Sequence, residues 1–143
     1  LLRDTAAVVE YVLLFVGGGG AGPDIWKRFV ELAGGPKATI VMVPTALEDP
    51  VPVEPGEVRA LKKAGAEDVR VLHTRDRATA DDPAFSDVLL KAGGVWFGGG
   101  RQWRFVDAYE GTLTEKRFRG VLARGGVVGG SSAGASILGE YMP

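Results

Sequence analysis

The sequence predicts an α/β fold: a doubly wound, mostly parallel sheet flanked by helices. Three observations predict it. Short runs of Val, Ile, Leu and Phe recur without polar alternation, the pattern of strands buried on both faces. Segments of helical spacing separate these runs, and strand–helix alternation builds βαβ units and a parallel sheet. Glycine supplies 22 of the 143 residues, about twice its usual share. It gathers where apolar runs end, the edge at which such sheets meet ligands.

The elements follow in order. Val12 to Val16 is the first strand, stopped by Gly17 to Gly20. Pro23 to Ala33 is a helix: Pro23 suits its first turn, and Ile25, Trp26, Phe29, Val30 and Leu32 give a broad apolar face. Gly34-Gly35-Pro36 ends it. Thr39 to Val43 is the second strand, and the four prolines between Pro44 and Pro55 make a stiff loop. Glu57 to Ala64 is a short helix before Gly65, Val69 to Leu72 the third strand, and Thr74 to Pro83 a charged loop. Asp82 caps a helix over Pro83 to Ala92. Val95 to Phe97 is the fourth strand and runs into Gly98-Gly99-Gly100. Trp103 to Tyr109 is helical, as is Thr112 to Arg124, where Thr112 and Glu115 stand at capping-box spacing. Val127-Val128 opens a fifth strand, broken by Gly129-Gly130, and a last helix starts near Ala133. No linker divides the chain, so residues 1–143 read as one α/β domain.

Composition removes whole classes of function. With 17 Lys and Arg against 18 Asp and Glu, the net charge is -1. That gives no basic excess for nucleic acid or a membrane surface. The absence of cysteine excludes disulfides, thiolate metal sites and a Cys nucleophile, and a single histidine excludes a multi-His metal site. No metal or organic cofactor is implied. Glu10 interrupts the apolar run from Val8 to Val16, and glycines follow it. It is therefore a poor signal peptide, which tips the expectation toward the cytoplasm. A homodimer is compatible with the sequence, though no residue pattern fixes the oligomeric state.

Gly130-Ser131-Ser132-Ala133-Gly134 carries the chemistry. It is a G-x-S-x-G elbow, after an apolar strand and before a helical stretch. A nucleophile on so sharp a turn needs small neighbours, which Gly130, Ala133 and Gly134 supply. By register Ser132 is the nucleophile and Ser131 the spacer, while Ser136 falls inside the helix. The Ala133 N–H, at the helix start, points where an oxyanion would form. Gly98-Gly99-Gly100-Arg101-Gln102 also follows a strand and so faces the same crevice. Its backbone N–H groups can supply a second oxyanion donor, and Gln102 and Arg104 can grip a substrate.

These two clusters, with Gly17-Gly18-Gly19-Gly20 and Ile40-Val41-Met42-Val43-Pro44-Thr45-Ala46, resemble the cyanophycinase and dipeptidase E family of serine peptidases, peptidase family S51. The likeness runs from about Leu13 to Ile137. FVELAGG (Phe29 to Gly35), the Pro44-Thr45-Ala46 turn, the Gly99-Gly100-x-Gln102 loop and GGSSAGAS (Gly129 to Ser136) occur in the family's order. The resemblance implies a class I glutamine amidotransferase-like, flavodoxin-like fold. It implies Ser132 as nucleophile, an oxyanion hole from the N–H groups of Gly100 and Ala133, and substrate contacts from Gln102 and Arg104. It also implies hydrolysis of peptide or isopeptide bonds next to aspartate, in small peptides or an aspartyl-arginine polymer. Arg101 stands where the family often has Asp or Asn, which leaves the substrate open.

The family's catalytic His and acid lie after the nucleophile, whereas Pro143 stands eleven residues past Ser132. The expectation is therefore the N-terminal portion of a longer peptidase domain, lacking its C-terminal strands and inactive alone, since a serine needs an adjacent base. It also puts the nucleophile strand last in the sheet, with its flanking strands missing. Within the chain, His73 after the third strand is the candidate base, with Asp76 or Asp107 to orient it. Two other readings compete. Gly17, Gly19 and Gly22 fit the dinucleotide fingerprint, but the second strand ends in Val43-Pro44 without the acid that fingerprint wants. A chain without its base would also serve as a non-catalytic binding module for aspartyl peptides.

Overall fold

The computed structural model describes residues 12–16, 21–135 and 137. The apolar runs form β1 (Val12–Val16), β2 (Thr39–Val43), β3 (Asp68–Val71), β4 (Gly94–Phe97) and β5 (Val127–Ser131). All pairings are parallel, in the order β1-β5-β4-β2-β3. Burial explains the missing alternation: every residue of β2 and β4 is buried, because helices cover both faces. β3 is an edge, and Arg70 and Val71 on it are exposed.

Alternate residues feed two cores. Ile40, Met42, Trp96 and Val127 face α1 (Pro23–Leu32) and α2 (Gly56–Lys63). There the fully buried Trp96 ring packs against Trp26 at 4.5 Å and edge-on against Phe29 at 5.1 Å. Each such aromatic pair adds about 0.5–1.5 kcal/mol beyond its buried area. Val41, Val43, Val95, Phe97 and Val128 face the second layer. That layer holds α3 (Arg77–Asp81), α4 (Pro83–Ser86), a 3-10 turn (Asp87–Leu90), α5 (Trp103–Tyr109) and α6 (Leu113–Ala123). Helices on both faces of one parallel sheet are the doubly wound α/β arrangement. None of the described helices is long and apolar enough to cross a membrane.

Four sequence expectations need correction. The charged loop from Thr74 to Pro83 contains α3, whose five residues are too few to show helical periodicity. Asp76 caps it, accepting from the Ala78 and Thr79 N–H groups. The helix over Pro83 to Ala92 begins under its Asp82 cap but divides into α4 and the 3-10 turn. Arg117 Nη1 donates to the Pro83 carbonyl beside this division. Gly129 and Gly130 do not break β5, because neighbours occupy the space their side chains would fill. A Cβ on Gly129 would stand 2.8 Å from the Trp96 ring, and one on Gly130 2.6 Å from the Gly134 backbone. Finally, β5 is not the outermost strand. The β1–α1–β2 crossover skips two strand positions, and β4 and β5 return to fill them, so β5 is paired on both sides, by β1 and β4.

Two substitutions separate these roles. Gly129→Ala should destabilise by about 1–3 kcal/mol, because the rings beneath it must move. Gly120→Ala in α6, where a Cβ meets only the Arg124 guanidinium at 3.6 Å, should stabilise by about 0.5–1 kcal/mol. Urea unfolding of both variants measures the two signs.

Candidate active site

All five strands are parallel, so their C-terminal ends share one edge of the sheet. β5 ends at Ser131, and helical backbone resumes at Ala133. Ser132, between them, has a φ of +54° and is exposed, while Ala133 and Gly134 are buried. Among the described non-glycine residues it alone has positive φ. That left-handed conformation is costly for an L residue and persists where surroundings hold it. Its N–H donates to the Val16 carbonyl at 3.1 Å, tying the turn to the end of β1.

Small residues let the neighbouring segments close around this turn. A Cβ on Gly134 would stand 2.0 Å from the Phe97 carbonyl oxygen, so the new helix starts against the end of β4. A Cβ on Gly99 would meet the Ser132 Cβ at 3.5 Å. Gly100 has a φ of +134°, and a Cβ there would lie 2.1 Å from the Ala46 carbonyl oxygen. The loop after β4 therefore sits between the serine turn and the turn after β2. Ser132, Gly100 and Ala133, singled out from the sequence, meet at this edge. Gln102 follows as the residue before α5, half-buried. Ser136, Gly17 to Gly20 and the helix beyond Ile137 lie outside the described residues.

The turn after β2 is held unusually firmly. Arg75 donates from Nη1 to the Thr45 carbonyl at 2.6 Å and from Nη2 to the Leu47 carbonyl at 2.7 Å. It also pairs with Asp49 through Nε at 2.9 Å, which lowers the Asp49 pKa. The carbonyl between them, Ala46, accepts from Arg104 Nη1 at 2.8 Å and from the Arg101 N–H at 2.9 Å. Arg104 also lies over the Trp103 ring, 5.1 Å from its centre. Arg75, in the charged stretch after β3, is thus a clamp on backbone. Beside the turn opens a cleft of about 450 Å³, lined by Glu48, Asp49, Arg75, Trp103, Arg104, Asp107 and Ala108. Trp103, 54% exposed, presents its ring there rather than to the core.

His73 does not reach the serine. It follows β3, three strand positions from β5, or about 14 Å at the usual strand spacing. Its Nδ1 lies 2.9 Å from Thr45 Oγ1, which in turn lies 2.7 Å from the Tyr109 hydroxyl. Asp76, one of the expected orienting acids, is the cap of α3. Burial is the main cause that pushes the His73 pKa below 6.5, and nearby Arg75 adds to it, opposed by Asp49. Among the described residues no group of three His, Asp or Glu stands ready to hold a metal ion.

A depressed His pKa has a signed consequence. The unfolded chain takes up the proton first, so stability is complete above about pH 6.5 and falls as pH drops toward the lower folded value. The lowered carboxylates Asp49, Asp68 and Asp76 act only below their unfolded value of 3.8. Urea unfolding should therefore show stability declining as pH falls from 6.5 toward 4, and His73→Gln should flatten that decline.

The chain is similar to known proteins over most of its length. Residues 13–143 match the sequence profile of Peptidase family S51. The chain is 33% identical over 122 residues to a cyanophycinase of Geminocystis herdmanii, covering 85% of this chain and 45% of that protein. It is 31% identical over 123 residues to a cyanophycinase of a Nostoc species, covering 85% and 41%. It thus spans less than half the length of these relatives. Among solved structures it is similar to a peptidase from an acI-B1 Actinobacterium, with a TM-score of 0.72 and 25% identity over 88% of this chain and 55% of that one. A putative Peptidase E protein from Listeria monocytogenes shares the fold, at a TM-score of 0.61 and 23% identity over 87% and 60%. With a serine turn and glycine loop at one sheet edge, and a family match over nearly its whole length, the chain belongs to peptidase family S51.

Proposed function

We propose that this chain carries the nucleophile and oxyanion hole of a serine-type peptidase acting on bonds next to aspartate. The observation that supports it most is Ser132 itself: exposed, at φ +54°, between a strand and a helix, with Gly99 packed against its Cβ. In this reading the Ser132 hydroxyl oxygen attacks the scissile carbonyl carbon and gives its proton to a base. The N–H groups of Gly100 and Ala133 stabilise the negative oxygen of the tetrahedral intermediate. Expulsion of the amine leaves an acyl ester on Ser132, which water then hydrolyses. Gln102 and Arg104, beside the Trp103 cleft, contact the substrate. Specificity for aspartate rests on the likeness to cyanophycinases.

The base is the missing participant. His73 is the single histidine, and it is about three strand spacings from Ser132 and occupied with Thr45. In this reading the base and its acid come from residues outside these 143, and the chain is inactive by itself.

Two measurements test this. A fluorophosphonate probe offered to the folded chain with imidazole as external base should label Ser132 alone, as mapped by mass spectrometry. Ser132→Ala should abolish the label, and labelling elsewhere with Ser132 silent would overturn the assignment. Gly100→Ala should slow labelling about a hundredfold, since it displaces an oxyanion donor. A Ser132-dependent hydrolysis rate from the chain alone would place the base within these 143 residues and refute the predicted inactivity.

A further inference from the structure

Thr45 lies at the centre of a relay that the proposed chemistry does not use. It is fully buried, and Tyr109 is 2% exposed. The Thr74 N–H donates to the Tyr109 hydroxyl oxygen at 3.2 Å. That hydroxyl lies 2.7 Å from Thr45 Oγ1, which lies 2.9 Å from His73 Nδ1. One direction of donation satisfies every member: Thr74 N–H to Tyr109, Tyr109 O–H to Thr45, and Thr45 O–H to His73. It requires Nδ1 of His73 to be an acceptor, with the ring neutral and its proton on Nε2. If Nδ1 carries a proton, Thr45 Oγ1 must accept from it, and a buried hydroxyl proton, that of Thr45 or of Tyr109, loses its acceptor.

The relay ends one residue from the catalytic loop. The carbonyl of Ala46, next to Thr45, receives the Arg101 N–H at 2.9 Å and sits where a Gly100 side chain would be. We infer that Thr45 is a positioning residue: linked to Tyr109 and His73, it sets the place of the Gly100 N–H through Ala46. This role rests on the serine-peptidase reading, but the linkage itself does not. Arg75 and Asp49 are the charged groups that act on His73, and Arg75 also grips the Thr45 carbonyl. Protonation of the imidazole therefore acts on a turn fixed from both its side chain and its backbone. Loss of the relay at low pH would displace the Gly100 N–H through this turn, which the Thr45–Tyr109 pair ties to a helix 64 residues away in sequence.

Nuclear magnetic resonance on the intact chain tests the linkage without requiring catalysis. The His73 ring should titrate below 6.5 and show the Nε2–H tautomer when neutral. The amide signals of Gly100 and Arg101 should shift with the same midpoint. Thr45→Ser should retain this coupling, and Thr45→Val, which removes only the hydroxyl, should abolish it. Amides of Gly100 and Arg101 that stay still through the His73 titration, or that follow it unchanged in Thr45→Val, would overturn the inference. In imidazole-assisted labelling of Ser132, Thr45→Val should be about tenfold slower and Thr45→Ser restored. If coupling is present but Ser132 takes no label, the peptidase reading fails and the relay stands. If Ser132 labels equally in all three, the positioning role fails and the peptidase reading stands.

Discussion

The contact between the helix start after β5 and the end of β4 constrains everything at the active edge. At Gly134 even a methyl group would fall on the Phe97 carbonyl oxygen. Only a glycine lets the helix begin there, and only that start forces the chain between Ser131 and Ala133 into a sharp turn. The left-handed Ser132 is the result of this packing rather than an isolated strain. The same approach repeats one step outward, where Gly100 admits the Ala46 carbonyl and Gly99 admits the serine. The edge is thus three backbone segments in successive contact, with the proposed nucleophile exposed at one end of them.

The two faces of the sheet serve this edge differently. On one face, Trp96 fills the space left by Gly129 and packs on Trp26 and Phe29, which keeps β4 and β5 in register beneath the site. On the other, Phe97 packs edge-on against Phe105 at 5.3 Å and Phe118 at 4.9 Å, anchoring α5 and α6. α5 then brings Trp103 and Arg104 to the rim and Tyr109 to the relay. Backbone carbonyls 45, 46 and 47 are each held by an arginine, so the loop after β2 is a fixed wall of the crevice.

Much of this was legible in the sequence because it is local. The strands announce themselves as apolar runs, and the elbow as five consecutive residues with a strand before them and a helix after. The glycines of β5 misled for a physical reason: in isolation they weaken a strand, and only the Trp96 ring, distant in sequence, turns them into a packing surface. Strand order was equally hidden, since nothing local to β5 says that β1 will lie beside it. The Thr45–Tyr109 pair spans 64 residues and joins two residue types with no distinctive spacing. Nothing local marks Arg75, one charge in a charged stretch, as the clamp on carbonyls 45 and 47. The Pro44-Thr45-Ala46 turn carries a family likeness in its sequence, but its hold on Tyr109 and His73 exists only in three dimensions.

The placing of β1 also orders the fold in time. Val12 pairs with Val127, far away in sequence, whereas β2, β3 and β4 pair across shorter crossovers. Contacts of high sequence separation form late, because a long loop must close before they are rewarded. During synthesis from the N-terminus, β1 is made before the other four described strands, and its partner β5 is the last of them to emerge. Its apolar residues wait for β5, and the serine turn, whose N–H is tied to Val16 at the end of β1, is completed only when that wait is over.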